Sequence, residues 1–222
     1  MIKKEISGLY AVVDNVFTPQ FSNVELVQKI LLGGCRLIQL RMKNTKAAGL
    51  WSDEVYKAAR EIMKFKKEFD FTFIINDFID VAGEVCADGV HVGPNDTPVA
   101  EARKRLGKNF IIGYSSSRGI DLGIAAEHLG ADYIAFGAIF PTKAKGPDHP
   151  VQGLARLKEI CTKIKKPVVA IGGINRTNID DVLECGVSSV AMIRGLTEAS
   201  DIVEETKWYV DKITNNQAPN YK

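Results

Sequence analysis

Polar residues in this sequence gather at the ends of short apolar runs instead of spreading evenly along it. Gln39-Leu40-Arg41-Met42-Lys43 closes one run. Side chains alternate in an extended segment, so Gln39, Arg41 and Lys43 share a side and could converge on a charged ligand. Solvated surface charge is the alternative for Arg41 and Lys43. Ile74-Ile75-Asn76-Asp77 and Val90-His91-Val92-Gly93-Pro94-Asn95-Asp96 close two more runs, each bringing a carboxylate. Two neighbouring carboxylates offer hard oxygen ligands to Mg²⁺, which keeps several waters and takes other ligands from phosphate. Capping of the following helices is the alternative for Asp77 and Asp96.

Groups suited to anions follow in the second half. Gly113-Tyr114-Ser115-Ser116-Ser117 offers hydroxyls and backbone N–H groups, as an ordinary serine-rich turn also does. Pro141-Thr142-Lys143-Ala144-Lys145-Gly146 reads as a basic loop able to clamp an anion. Gly172-Gly173-Ile174-Asn175 and Arg194-Gly195 could present backbone N–H groups to a phosphate. His91 stands in a run of about four residues, where a packing role and a general-base role are both open. His128 and His149 have no identifiable catalytic partner. Cys35, Cys86, Cys161 and Cys185 are widely spaced with no metal-binding pattern, which predicts reduced thiols.

These residues need a scaffold that brings many run ends together. Eight β-rich runs, over 9–14, 36–41, 71–76, 89–92, 110–115, 133–137, 167–171 and 189–193, alternate with amphipathic stretches. That alternation predicts an α/β fold, a single (β/α)8 TIM barrel over 1–222 with a frayed tail at 215–222. Its active site lies where the strands end, with phosphate held after strands seven and eight. Ser22 and Glu25 form a capping-box signature, and Val24, Val27, Ile30 and Leu31 are the expected inward face of the first helix. Leu154, Leu157, Ile160, Cys161 and Ile164 make a second stripe, which places Cys161 in the core. Glycines at Leu32-Gly33-Gly34, Leu129-Gly130 and Cys185-Gly186 are expected helix ends. Only 139–153 reads as a long loop.

With 29 basic and 27 acidic residues among 222, the net charge of +2 gives no general attraction to nucleic acid or membrane. The start of the chain lacks a signal-peptide pattern and no apolar run reaches transmembrane length, which predicts a cytoplasmic protein.

Taken in order, the motifs resemble the thiamine phosphate synthase family through nearly the whole chain, from Leu9-Tyr10-Ala11-Val12-Val13-Asp14 to Ala199-Ser200-Asp201-Ile202. The resemblance implies joining of 4-amino-2-methyl-5-(diphosphooxymethyl)pyrimidine to a thiazole phosphate, with diphosphate released and no protein nucleophile. It also implies that Gln39, Arg41, Lys43, Asn76, Ser115 and Lys145 contact the pyrimidine diphosphate and that Asp77 and Asp96 hold Mg²⁺. Thr142, Ala144, Gly173, Ile193 and Arg194 fall at the thiazole phosphate, and the catalytic set is Arg41, Lys43, Lys145 and Ser115. A homo-oligomer is a further implication. The chain departs from the family pattern at Ala144 (usually threonine), Pro94 (glutamine) and Arg194 (serine). A thiazole tautomerase of the same superfamily and a catalytically silent phosphate-binding barrel are the competing readings.

Overall fold

The computed structural model describes residues 5–43, 52–142 and 150–217. The β-rich runs form β1 (Gly8–Val13), β2 (Leu37–Leu40), β3 (Thr72–Asn76), β4 (Gly89–Val92), β5 (Ile111–Ser115), β6 (Tyr133–Phe136), β7 (Val168–Ile171) and β8 (Ser189–Met192). Each pairs in parallel with its successor, and β8 closes on β1 with Gly8 opposite Ser189. All eight lie within one residue of their expected limits at each end. The strands read as near-continuous apolar runs because both faces are covered, outside by helices and inside by the barrel's own filling. Tyr10, Val12, Leu37, Ile74, Ile111, Tyr133 and Val169 belong to that inner cluster.

Between the strands lie α1 (Asn23–Leu32), α2 (Asp53–Lys64), α3 (Ile79–Glu84), α4 (Val99–Leu106), α5 (Ile120–His128), α6 (Gly153–Lys163) and α7 (Ile179–Leu183), and α8 (Arg194–Thr197) and α9 (Ile202–Gln217) follow β8. The capping box forms at α1: Ser22 Oγ accepts from Glu25 N at 3.2 Å and Glu25 Oε2 accepts from Ser22 N at 2.7 Å. Gly34, Gly130 and Gly186 follow their helices at φ of 93°, 98° and 83°, the left-handed ends expected of them.

Three expectations need correction. The fully buried apolar face of α1 is Leu26, Val27, Ile30 and Leu31, with Val24 only half-buried against the core. Cys161 is half-buried against the core, not inside it. The last described helix runs on through Gln217, so a frayed tail does not begin at 215; its own Tyr209 and Ile213 are buried against the barrel and anchor it. Among the described residues, no helix is long and apolar enough to cross a membrane.

Candidate active site

The polar strand ends meet at the C-terminal rim around a cavity of about 450 Å³ lined by Gln39, Arg41, Lys43, Asn76, Asp77, His91, Asp96, Ser115 and Arg118. Strand alternation thus sends Gln39, Arg41 and Lys43 to one side as expected. Asp14, buried at the end of β1, forms an ion pair with the Arg41 guanidinium and fixes its direction. Lys43 Nζ lies 3.4 Å from Asp77 Oδ2.

Asp77 turns the chain out of β3 in the left-handed region at φ 65°, which an aspartate tolerates better than most residues. Burial pushes its carboxyl up to about 6; Lys43 opposes that rise, and the neighbouring Asp96 carboxylate adds to it. Asp96 Oδ2 accepts from Gly93 N at 2.8 Å. Neither acid caps a helix, since α3 and α4 follow Phe78 and Pro98 with no side-chain cap. Asn76 Nδ2 is buried with no hydrogen-bond partner. A buried unpaired donor costs roughly 1–3 kcal/mol, which a ligand acceptor at this atom would offset.

A hydrogen-bonded chain runs beneath this cavity. Gln39 Nε2 donates to Tyr10 Oη at 2.7 Å, Tyr10 and Tyr133 share a 2.7 Å bond, Tyr133 Oη lies 2.9 Å from His91 Nδ1, and His91 Nε2 lies 2.8 Å from Ser115 Oγ. Sequence reasoning missed Tyr10, Tyr133, Asp14 and Arg118. The two tyrosines sit in apolar strands where an aromatic reads as packing, and only inward register on opposite sides of the barrel could have exposed them.

A second cavity of about 400 Å³ opens beside the first, lined by Thr142, Gly172, Gly173, Asn175, Ile193, Arg194 and Glu198. Gly173 is held at φ 70°, where an added Cβ would stand 2.7 Å from Phe140 Cβ and Pro141 O. The chain there packs so closely on Phe140 and Pro141 that only glycine fits. Arg194 Nε donates to Glu198 Oε1 at 2.6 Å, and its guanidinium lies 5.8 Å from the Phe17 ring centre. Ile171, Ala191 and Ile193 line both cavities and form the junction between them. Ala144, Lys145 and His149 lie outside the described residues.

A larger cavity, about 530 Å³, opens at the opposite end of the barrel between the starts of β1, β2 and β3 and helix α9. Its Arg36 is spent on the carbonyls of Leu31 and Cys35, and barrel chemistry belongs to the other rim.

The Asp77 and Asp96 pair suits a hard divalent cation that draws its remaining ligands from water and phosphate, and no cluster of three or more candidate ligands occurs among the described residues. The sequence model described as Thiamine monophosphate synthase matches residues 9–196. The chain belongs to the thiamine monophosphate synthase family. The thiamine-phosphate synthase of Methanospirillum hungatei is 36% identical over 204 residues, covering 92% of this chain and 96% of that one. The thiamine-phosphate synthase of Clostridium novyi is 40% identical over 200 residues, 90% and 95% of the two chains. The solved thiamine phosphate pyrophosphorylase of Pyrococcus furiosus superposes with a TM-score of 0.80 at 37% identity, covering 93% of this chain and 96% of that structure. Family membership therefore spans both cavities.

Proposed function

We propose that this family member is a transferase that joins 4-amino-2-methyl-5-(diphosphooxymethyl)pyrimidine to a thiazole phosphate, giving thiamine phosphate and diphosphate. The observation that carries the reading is the meeting of two unlike anion sites at Ile171, Ala191 and Ile193, one rich in charged side chains and the other in glycine backbone. Two substrates seated there would have their reacting atoms adjacent, which removes much of the entropic barrier.

The diphosphate would lie in the first cavity, contacted by Arg41, Lys43, Ser115 and Lys145, with Asn76 Nδ2 giving its unspent proton to the same substrate. Gln39, one of whose two amide N–H groups is committed to Tyr10, would offer its carbonyl oxygen to a donor on the pyrimidine. Asp77 and Asp96 would hold Mg²⁺, and the chemistry such an ion supplies when bound is neutralisation of diphosphate charge. The C–O bond to diphosphate breaks, the aminopyrimidine stabilises the benzyl-like cation, and the thiazole nitrogen forms the new C–N bond. Arg41, Lys43 and Lys145 act where charge develops on the departing oxygen. The thiazole phosphate would occupy the second cavity against the backbone at Gly173, Ile193 and Thr142, with Arg194 at its edge; Ala144 is assigned to the same substrate by the family resemblance alone. On the same reading 1–222 works as one cytoplasmic domain that self-associates.

Diphosphate release tests this directly, with the pyrimidine diphosphate, the thiazole phosphate and Mg²⁺ each omitted in turn. The expected result is release that requires all three and yields thiamine phosphate. Binding of the thiazole phosphate with no turnover would overturn it in favour of a tautomerase or silent barrel.

A further inference from the structure

We propose that Tyr10, Tyr133 and His91 are positioning residues, a buried relay that holds Ser115 as a hydrogen-bond donor toward diphosphate, with the His91 ring neutral and its proton on Nε2. The proposal rests on the synthase reading for the identity of the ligand. For the direction of the relay it rests on the orientation of the Gln39 amide, whose Nε2 faces Tyr10.

The direction follows from counting protons. Gln39 Nε2 can only donate, so Tyr10 Oη accepts from it and turns its own proton to Tyr133. Tyr133, having accepted, gives its proton to His91 Nδ1 at 2.9 Å. A neutral imidazole with an accepting Nδ1 must carry its proton on Nε2, which faces Ser115 Oγ at 2.8 Å. Ser115 then accepts from His91, and its single proton is left for the cavity.

The far end requires the same polarity. A diphosphate presents only acceptors, and a serine that had given its proton to His91 would meet it with lone pairs. The reverse chain would also need Gln39 to turn its carbonyl to Tyr10 and an N–H to the cavity. Both ends of the first cavity are thus set together, an acceptor at Gln39 and a donor at Ser115.

The relay transmits orientation and not charge. Tyr10 and Tyr133 are fully buried, and burial drives both phenols far above their ordinary value, so neither yields a proton to the imidazole. The Tyr133 ring stacks on His91 at 5.5 Å between centres and 27° between planes, which keeps Nδ1 in line with the phenol. Bonds in such a buried series polarise one another, so an interruption at Tyr133 reaches Ser115.

The chain has three histidines, so the ring nitrogens of ¹⁵N-histidine-labelled protein can be resolved, with His91→Gln assigning its signals. An Nε2–H tautomer at His91 is expected, unchanged when inorganic diphosphate and Mg²⁺ are added. An Nδ1–H tautomer or an imidazolium overturns the proposal from the unmodified protein alone. Tyr133→Phe keeps the ring and removes the hydroxyl. It is expected to shift His91 toward Nδ1–H and to weaken diphosphate binding about tenfold, the scale of one charge-assisted bond. In a Ser115→Ala background the same substitution should add no further loss; full additivity would mean a structural effect and overturn the relay. Failure of the synthase reading would be seen separately, as absent turnover with tautomer and diphosphate binding intact.

Discussion

Burial raises the Asp77 carboxyl to about 6 although Lys43 stands 3.4 Å away, so in the metal-free protein this acid is held against its preference for solvent. An unfolded aspartate titrates near roughly 3.9. Between that value and about 6 the folded chain keeps a proton that the unfolded chain has lost. The contribution of Asp77 is therefore most favourable below the unfolded value and is lost as pH rises through the folded one. Asp77→Asn should remove this downward slope from the urea midpoint of chelated protein, leave it at least as stable at pH 7, and abolish Mg²⁺-dependent turnover. An unchanged slope would show that another group carries it. Asp14 acts differently, by aiming Arg41 from the end of β1. Asp14→Asn should raise KM for the pyrimidine diphosphate about tenfold, as expected for a loosened charged contact, and leave KM for the thiazole phosphate alone. Equal rises in both would sink that role. Of these two acids only Asp77 was legible in the sequence as a site residue, because Asp14 is a lone acid whose partner Arg41 lies just past the next strand.

Elements were far more legible than contacts. Alternation of apolar runs with amphipathic stretches marks all eight strands, and Ser22 with Glu25 marks the start of α1, because those signals are local to the chain. What crosses the barrel has no local signal. Gly113 in β5 reads as an ordinary strand glycine, yet a Cβ there would stand 2.0 Å from Cζ of Tyr133 in β6. The missing side chain is what leaves room for the phenol, which stacks on His91 and stands edge-on to Tyr10. Gly113→Ala should force that ring aside, destabilise the fold by about 1–3 kcal/mol as overpacked sites do, and cost activity beyond the stability loss. Thermal unfolding and turnover measured together check this; a variant with native activity and lower stability would confine Gly113 to packing. The length of α9 escaped for the opposite reason. Its last turns are polar in sequence and are held by Tyr209 and Ile213 against the barrel.

Over the whole molecule, basic and acidic residues nearly cancel at a net +2, and the first cavity repeats that balance on a small scale. Arg41, Lys43 and Arg118 supply three positive charges among the described residues, against three carboxylates at Asp14, Asp77 and Asp96. With the charges of the described residues so balanced, a cation that joins the site strengthens its attraction for diphosphate. The site equally holds two close carboxylates whose repulsion an added cation relieves. Metal and diphosphate should therefore bind cooperatively, and thermodynamic linkage makes the effect reciprocal. Titration calorimetry should find Mg²⁺ bound more tightly in the presence of inorganic diphosphate, and diphosphate bound more tightly with Mg²⁺ by the same factor. The enhancement for the protein must exceed that from ion pairing in solution. It should vanish in Asp77→Asn, while the glycine-lined cavity, which is built mainly from backbone, keeps its affinity for the thiazole phosphate with or without the metal. If both ligands prove equally dependent on Mg²⁺, the charge balance of the first cavity is not what separates the two halves of the site.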